Sequence, residues 1–410
     1  MEKEAKNAEH EKALAVVMAD KFDHTSEAMM RDPWDMLKMF RGQCPVAHSS
    51  LHGGFYFAST YDSVMKIVSD WETFSSADGV GIPPQPFTMP PIELDPPRHT
   101  DFRRILNRLF TVKEVEKRRN DIEQQIHKLI DTFIERGSAD IANELIRPLM
   151  PILVLPILGV PLEDQIKVCA WIDHIIFGRV TDPAGVQRAG MEVAQYLHAL
   201  ASSRRGGPPD ETNAMGLLLL GTAEGEPISD DEIARTITLV LFGGLDTSTA
   251  VMAESLLFLA RNPDEKRKLR DGKYNWAVAI EEFVRITSPL VALRRTLTKE
   301  TELAGTQLKK GDRILSLYGS ANRDENKFVD ADKCILDRSP NPHVGFGAET
   351  HFCLGRNLAR IEIEVMLKVI LARMYDFQVS DDFSPEYLVG ESRGMKTLPA
   401  TFTPGRKKLS

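Results

Sequence analysis

The chain has 410 residues, of which 42% are hydrophobic and 27% charged, and its formal net charge is −8 at pH 7. This length supports an ample core, and the composition is that of a globular protein rather than a disordered one. The acidic balance argues against a protein that binds nucleic acid. Four scattered cysteines show no zinc-site spacing, which fits a reducing compartment.

The chain starts with a charged segment that lacks the apolar core of a signal peptide. Residues 237–260 are apolar over a transmembrane length, but Asp246, Glu254 and two adjacent glycines fall within them. We therefore expect a buried central helix there, and a cytoplasmic, monomeric protein without a membrane anchor.

The pattern of apolar residues predicts a mainly α fold with a small β portion. Residues 1–30 are expected to form a partly flexible N-terminal arm and residues 31–410 a single domain, because no repeat or low-complexity linker divides them. The apolar, proline-rich residues 79–91 are expected to form an irregular loop over a hydrophobic pocket. Spacings of three to four residues predict helices at 103–136, 163–177, 184–203, 230–261, 275–287 and 356–374. Short strands are predicted at 54–58, 301–303, 313–317 and 377–379.

Near the C-terminus, Cys353 lies in a loop that begins with Phe346-Gly347 and ends at Gly355-Arg356, just before a predicted helix. Backbone N–H groups and the helix dipole at such a position favour a thiolate. A thiolate held in this way can be the axial ligand of a haem iron. The alternative is that Cys353 is a buried small hydrophobe, the common fate of a free cysteine.

The predicted central helix contains the sequence Gly243-Gly244-Leu245-Asp246-Thr247. Two glycines cost a helix about 1 kcal/mol each relative to alanine, so a structural reason is expected. Their missing side chains would let a flat ligand approach the backbone. Thr247 can bond the carbonyl four residues earlier and loosen the helix. The Asp–Thr pair is a candidate for proton delivery, or else a buried pair at a helix kink.

Two further patterns carry charge. Glu282 and Arg285 share a helix face among apolar neighbours, which indicates a buried pair, and Arg338 is a candidate third member. His99 and Arg103 are four residues apart at a predicted helix start, so both can point at one anionic group, or alternatively cap the helix at the surface.

With these motifs in this order, the chain resembles the cytochrome P-450 family, and specifically its soluble bacterial members of the camphor-hydroxylating branch. The resemblance covers residues 33–399 and is most specific in the cysteine loop. It implies the triangular single-domain fold of that family, with a long central helix over a haem b group. Two departures are Glu349, where the family usually has a third glycine, and Cys334, where it usually has Phe.

The resemblance also implies roles for individual residues. Cys353 would bind the iron, with Phe346 and Gly355 beside it, and Asp246 and Thr247 would relay protons. Glu282, Arg285 and Arg338 would form a structural triad. Haem propionates would be bound by His99, Arg103, Arg295 and His351. The substrate pocket would be lined by Phe87, Leu239, Phe242, Gly243, Val291 and the turn at Glu391-Ser392.

Seven basic residues and two acids lie between Arg103 and Arg119. In a net-acidic chain this excess is either a solvated helix face or a docking surface. By the resemblance, an acidic iron–sulfur ferredoxin would dock near Arg104 and Arg108. No flavin or dinucleotide fingerprint is present, so the reductase would be a separate protein.

The predicted function is a monooxygenase that inserts one atom of O2 into a C–H bond of a small hydrophobic substrate, such as a terpenoid or a substituted aromatic. Glu391 and Arg294 either add a polar contact to the pocket or face solvent. Two alternatives remain at this point. One is a peroxygenase driven by hydrogen peroxide, against which the Asp246-Thr247 pair argues. The other is a haem-thiolate binding protein without turnover.

Overall fold

The computed structural model describes residues 2–83, 87–178, 182–388 and 392–408. It is mainly helical, as predicted. The α-helices are α1 Glu2–Asp20, α2 Glu27–Arg31, α3 Trp34–Gln43, α4 Tyr61–Ser69, α5 Arg98–Phe110, α6 Val112–Glu116, α7 Arg119–Asp131, α8 Arg147–Leu158, α9 Gln165–Phe177, α10 Pro183–Arg204, α11 Ala214–Leu220, α12 Asp230–Leu245, α13 Thr247–Arg261, α14 Pro263–Arg270, α15 Trp276–Thr287, α16 Tyr318–Ala321 and α17 Arg356–Arg373.

The small β portion lies mostly in one mixed sheet of five strands, in the order β1-β2-β10-β7-β3. Strand β10 pairs in parallel with β2 and antiparallel with β7, where Ile314 lies opposite Arg295. The strands are β1 Val46–Ser49, β2 Phe55–Ala58, β3 Phe74–Ser75, β4 Ser138–Asp140, β5 Thr222–Ala223, β6 Glu226–Pro227, β7 Ala292–Leu297, β8 Thr301–Leu303, β9 Thr306–Leu308, β10 Arg313–Leu317 and β11 Pro399–Thr401.

The predicted central helix forms as α12 and α13, which follow one another with a break at Asp246. Its start is fixed by a capping box, in which Ser229 and Glu232 satisfy each other's backbone N–H groups. By length and composition alone, Asp230–Arg261 passes the test for a membrane-crossing helix, but 61% of its most apolar stretch is buried inside the protein. It packs on α8, α10, α15 and α17, so it is the core helix that the sequence predicts.

The structure corrects three predicted elements. The segment 103–136 is not one helix but α5, α6, α7 and a short 3-10 turn, because Thr111 leaves the helix and its hydroxyl caps Glu114 at the start of α6. Helix α8 was not predicted, since Pro151 and Pro156 lie inside it. Residues 377–379 form only a single bridge, from Gln378 to Thr401.

The site is positioned by two parts of the fold, a helical part and a part built around the sheet. The large helical core contains α8, α12, α13, α15 and α17, whereas the sheet, together with α3 and α4, forms two smaller apolar clusters. A cavity lies where these parts meet, with α12 and α13 on one side and the loop before α17 on the other. The described part of the loop 79–91 is irregular and contributes Val80, Met89 and Pro91 to the cavity wall.

Candidate active site

The loop before α17 is closed by its own backbone. The N–H of Cys353 donates to the carbonyl of Phe346 at 2.8 Å, and the N–H of Gly347 to that of Val344 at 2.9 Å. Gly347 has a φ of +70°, which suits glycine. These bonds present the Cys353 side chain at the cavity wall, with Phe346 and Gly355 beside it.

The backbone N–H groups of Gly355 and Arg356 lower the pKa of the Cys353 thiol, as the loop-to-helix pattern predicts. Burial nevertheless raises the pKa of the Cys353 thiol and outweighs these N–H groups and the charges of Arg103 and Arg356. The donors therefore favour a thiolate without being sufficient for it. A bound metal ion, which requires the deprotonated sulfur, would supply the remaining stabilisation.

Glu349 takes the place of the glycine that the family usually has, and the structure shows what this change involves. Its φ is +48°, in the left-handed region that disfavours side chains. The residue begins a 3-10 turn ending at His351, and its side chain is exposed. The loop therefore accepts Glu349 at the cost of local backbone strain.

Four basic side chains gather at one end of the cavity. His99 and Arg103 lie one turn apart on α5, Arg295 lies on β7, and the His351 ring centroid is 4.4 Å from that of His99. Burial, together with neighbouring positive charge, lowers the pKa of His99 to about 4 and that of His351 to about 2. Arg103 donates to the carbonyl of Phe352 at 2.7 Å.

Among the described residues no carboxylate bonds to this cluster, and Asp95 acts on His99 and Arg295 only through its charge. The buried His99 Nδ1 has no hydrogen-bond partner, and among the described residues the buried Arg295 guanidinium donates only to the Arg294 carbonyl, at 2.8 Å. Buried cations require a counter-charge. Two carboxylates entering at this end of the cavity would supply it, so the residues fit the propionates of a haem.

The donor set also fits a haem iron rather than a protein-caged ion. Within the described part of the chain, no three His, Cys, Asp or Glu side chains are grouped to hold a metal. Cys353 would hold the iron through its sulfur, and a porphyrin would supply four nitrogen ligands.

On the opposite wall, the break between α12 and α13 presents Asp246 and Thr247. The Thr247 hydroxyl donates to the carbonyl of Gly243 at 2.7 Å, which is the bond that the sequence predicts. Asp246 is buried with Oδ2 unpartnered. Burial raises the pKa of Asp246 to about 6, Arg147 opposes the rise and Asp173 adds to it.

The two glycines of this motif have different surroundings. A Cβ at Gly243 would meet no atom within 4 Å, whereas one at Gly244 would lie 3.1 Å from Val154 Cγ1 on α8. Both glycines line the cavity, as the expected approach of a flat ligand requires. Gly244 in addition permits close packing of α12 on α8.

The cavity leaves about 320 Å³ to the centres of water-sized molecules. Of the predicted substrate residues, Leu239, Phe242, Gly243 and Ser392 line it. Val291 is a correction, because it is buried in the apolar cluster that contains Leu315, while its neighbours Leu290 and Leu293 line the cavity instead.

Two other residues considered for the pocket, Phe87 and Arg294, do not line the wall formed by the described residues. Phe87 is half-buried and is not part of that wall. Arg294 is buried and donates to the carbonyl of Gly79 at 3.0 Å, so it neither enters the pocket nor faces solvent. Glu391 lies outside the described residues.

The predicted triad is assembled under the cysteine loop. Glu282 and Arg285 are fully buried and form a bidentate pair at 2.7 and 2.8 Å, and Arg338 Nε lies 3.1 Å from both Glu282 oxygens. The remaining Arg285 donors reach the carbonyls of Asn322, Ala331 and Lys333. All five guanidinium N–H groups are thus used.

One acidic residue of the cavity wall was missed. Glu362 on α17 is buried, and its Oε1 has no partner. Burial raises the pKa of Glu362 to about 7, against a hydrogen bond from Ser248. The periodicity of α17 contains the signal, since Glu362 shares the apolar face of Leu358 and Val365.

A cavity that is lined by a cysteine, by an acid–alcohol pair and by a basic end to which no carboxylate is bonded among the described residues defines a haem-thiolate protein. The family model for cytochrome P450 matches residues 55–272 and 277–400. The chain belongs to the cytochrome P450 family.

Relatives in this family span nearly the whole chain. Steroid C26-monooxygenase of Mycolicibacterium smegmatis is 34% identical over 366 residues, which cover 87% of this chain and 90% of the relative. Methyl-branched lipid omega-hydroxylase of Mycobacterium tuberculosis is 34% identical over 365 residues, covering 85% and 84%. The structure of CYP109E1 from Bacillus megaterium in complex with testosterone matches with a TM-score of 0.83 at 29% identity, covering 94% of this chain and 100% of that one.

Family membership decides between the predicted classes of protein. The chain is a cytochrome P450 monooxygenase whose cofactor is haem b, and it acts with O2 on a small hydrophobic substrate. The reading as a binding protein without turnover is set aside.

Proposed function

We propose that this monooxygenase hydroxylates an uncharged, extended hydrophobic molecule of the steroid class, with electrons from a separate ferredoxin and reductase. The observation that carries the proposal is the cavity wall. Apolar side chains make up most of it, among them Leu158, Ile175, Leu239, Val240, Phe242 and Leu290. Besides Asp246 and Thr247, Glu362 and Ser392 also line it.

The charge of the wall distinguishes neutral from anionic substrates. Among the described residues that line the cavity, the arginines are Arg103 and Arg295, and both belong to the cluster that fits the haem propionates. A fatty carboxylate would need a further cation, because a buried unpaired charge is costly. A neutral steroid needs none, which supports it over an anionic lipid.

The relatives point to two substrate classes, because one is named for a steroid and another for a methyl-branched lipid. The methyl-branched lipid is therefore the second candidate. The compact terpenoid or substituted aromatic suggested by the sequence requires the same apolar wall and is the third.

Titration of the ferric protein separates these candidates. We expect a steroid that carries an aliphatic side chain to shift the iron to high spin at lower concentration than a methyl-branched fatty acid or a monoterpene. Tighter binding of the fatty acid would overturn the steroid proposal. Comparison with its methyl ester then shows whether the carboxylate is recognised.

Bound haem supplies the binding and activation of O2. The chain's own contribution is the delivery of protons from Asp246, whose pKa of about 6 lets it both hold and release a proton near neutral pH. The Thr247 hydroxyl, held by the Gly243 carbonyl, is placed to pass them to the cavity. This requirement for protons also favours O2 over ready-made peroxide as the oxidant.

At the proposed ferredoxin site, the arginines of α5 already form ion pairs with carboxylates of the same chain. Arg104 pairs with Asp101 at 2.8 Å and Arg108 with Glu211 at 2.5 Å, so part of the basic excess is neutralised. Both arginines stay 57% or more exposed, and an acidic partner would have to compete with these carboxylates.

Charge reversal tests this site. We expect Arg104→Glu with Arg108→Glu to slow reduction by a ferredoxin while CO binding after chemical reduction is unchanged. Arg267→Glu is the matched control, because Arg267 on α14 forms a similar exposed pair with Asp264 at 2.9 Å. Equal reduction rates in all three proteins would remove the docking site from this surface.

A further inference from the structure

The carboxylate of Glu281 joins three elements around the cysteine loop. It lies on α15 and accepts two bonds from the Arg360 guanidinium on α17, at 2.5 and 2.9 Å. The ring of His343, three residues before the cysteine loop, lies 2.9 Å from the second Glu281 oxygen. We call these three residues the Glu281 clamp. None of them was identified from the sequence.

The hydrogen bonds fix the protonation of the clamp. The N–H of Gly345 donates to His343 Nδ1 at 3.1 Å, so the ring proton lies on Nε2 and is donated to Glu281. Burial by itself would raise the pKa of Glu281, but its bonds from Arg360 and His343 outweigh burial and hold the pKa at about 2. The clamp is thus charged and intact across the physiological pH range.

The clamp encloses Phe346. The Arg360 guanidinium lies 4.6 Å from the Phe346 ring centroid, a cation–π contact, and the His343 ring centroid lies 5.9 Å from it on another side. The carbonyl of Phe346 accepts the N–H of Cys353. A rigid Phe346 therefore fixes the backbone of the cysteine.

Close packing leaves the loop little freedom to compensate. A Cβ at Gly345 would lie 2.8 Å from Val284 Cγ1 and 3.2 Å from the Val284 carbonyl, so the loop backbone touches α15. The adjacent acid, Glu282, bonds Arg285, Arg338, the N–H of Ile335 and the side chain of Asn341. Glu281 and Glu282 therefore have different hydrogen-bond partners, although Asn341 and His343 are only two residues apart.

We propose that Glu281, acting through His343 and Arg360, is a positioning residue that keeps Cys353 bound to the haem iron. The inference rests on the proposed role of Cys353 as the iron ligand. Bidentate arginine–carboxylate pairs are the stronger and more directional of ion pairs. Loss of the pair would free Phe346 and let the thiolate leave the iron without unfolding the chain.

The test uses the haem-loaded protein and needs no substrate or redox partner. Glu281→Gln removes the charge, and Arg360→Lys keeps the charge but removes the guanidinium fork. The matched control is Glu325→Gln, since Arg41 holds Glu325 with two nitrogens at 2.9 and 3.0 Å and neither residue lines the cavity. The readout is the Soret band of the reduced CO complex in increasing urea below the unfolding transition.

We expect the ratio of detached to thiolate-bound iron to rise by a factor of roughly 5 to 30 in both clamp variants, and not in the control. Clamp variants that behave like Glu325→Gln would overturn the inference while leaving the proposed function intact. A wild-type protein without the red-shifted thiolate band would instead refute the role of Cys353, and the inference with it. Should Glu281→Gln not fold, Arg360→Lys decides the question alone.

Discussion

At the scale of single residues, two buried acids share one cavity and differ in their partners. Asp246 has Arg147 nearby and a pKa of about 6, whereas Glu362 has only a bond from Ser248 and a pKa of about 7. Both carboxyls lose water on folding, so both protonated forms are favoured in the native chain. Their protons therefore contribute to stability as well as to chemistry.

Glu362→Gln tests this contribution. The pKa of Glu362 is raised from 4.5 to about 7, so its stabilising effect is full below pH 4.5 and is lost as the pH rises through 7. Relative to the Gln variant, wild type should lose up to roughly 3 kcal/mol of unfolding free energy over this range. Urea unfolding of both proteins at pH 4.5 and pH 8 measures the difference.

Glu364→Gln is the control for that measurement. Although burial opposes it, bonds from Lys368 and Arg119 lower the pKa of Glu364, so its contribution has the opposite sign. Relative to Glu364→Gln, the wild-type protein should therefore have the larger free energy of unfolding at the higher pH. The same trend in both variants would contradict the assignment to Glu362.

Thr247→Ala tests the proton path. The variant loses the hydroxyl that bonds Gly243 but keeps the cavity wall, so substrate binding should be retained. Electrons from the reductase should then appear as hydrogen peroxide in place of product. Peroxide and product are counted per NAD(P)H consumed, and unchanged coupling would show that Thr247 does not deliver protons.

At the scale of elements, the central helix combines two demands. Its residue 244 must be small for α8 to approach, and its residue 243 must be small for the cavity to stay open. A helix interior normally disfavours glycine by about 1 kcal/mol. At residue 244, the close packing of α12 on α8 offsets this cost. At residue 243, the reason for glycine is the space that it leaves for a ligand.

Alanine substitutions separate the two demands. Gly243→Ala should stabilise the haem-free chain by up to about 1 kcal/mol, because it improves helix propensity without a clash, yet weaken haem or substrate binding. Gly244→Ala should stabilise the haem-free chain less than Gly243→Ala does, or destabilise it, because Val154 must move. Adding Val154→Ala to Gly244→Ala should relieve that clash. Urea unfolding and haem titration are the measurements, and equal behaviour of the two single variants would contradict the distinction.

At the scale of the whole molecule, the buried pair of Glu282 and Arg285 ties α15 to the long segment before the cysteine loop. Arg285 alone reaches three backbone carbonyls between residues 322 and 333. Because that segment has no helix or strand of its own between 322 and 348, these bonds replace secondary structure as the element that orders it.

Arg285→Lys should therefore be severe. Lysine keeps the charge but offers three donors in place of five, which leaves buried carbonyls unpaired. We expect a loss of about 3–5 kcal/mol, comparable to the whole stability of a marginal domain. Soluble yield and urea midpoints report it. The exposed Arg267→Lys should have little effect, and a midpoint of Arg285→Lys close to wild type would contradict the role of the network.

Much of the site could be predicted because its chemistry is carried by short local patterns. The cysteine loop, the Gly243–Thr247 motif and the Glu282/Arg285 pair each need only a few neighbouring residues to be recognised. The Glu281 clamp could not be predicted in this way, because its three residues are distant from one another in the sequence. In the sequence alone, each of them resembles an ordinary charged or polar surface residue.

The sequence by itself determined the mainly α fold, the central helix, the cysteine that faces the cavity and the family. Apolar periodicity and the positions of glycines are visible in short stretches of sequence. They can be interpreted without knowing which residues are neighbours in the folded chain. Only the tertiary structure decided that α8 forms despite its prolines, that Val291 faces the core, that burial outweighs the N–H donors at Cys353, and that Glu362 is a buried acid. Each of these depends on what surrounds a residue in space, because burial and packing set the pKa and the orientation of a side chain.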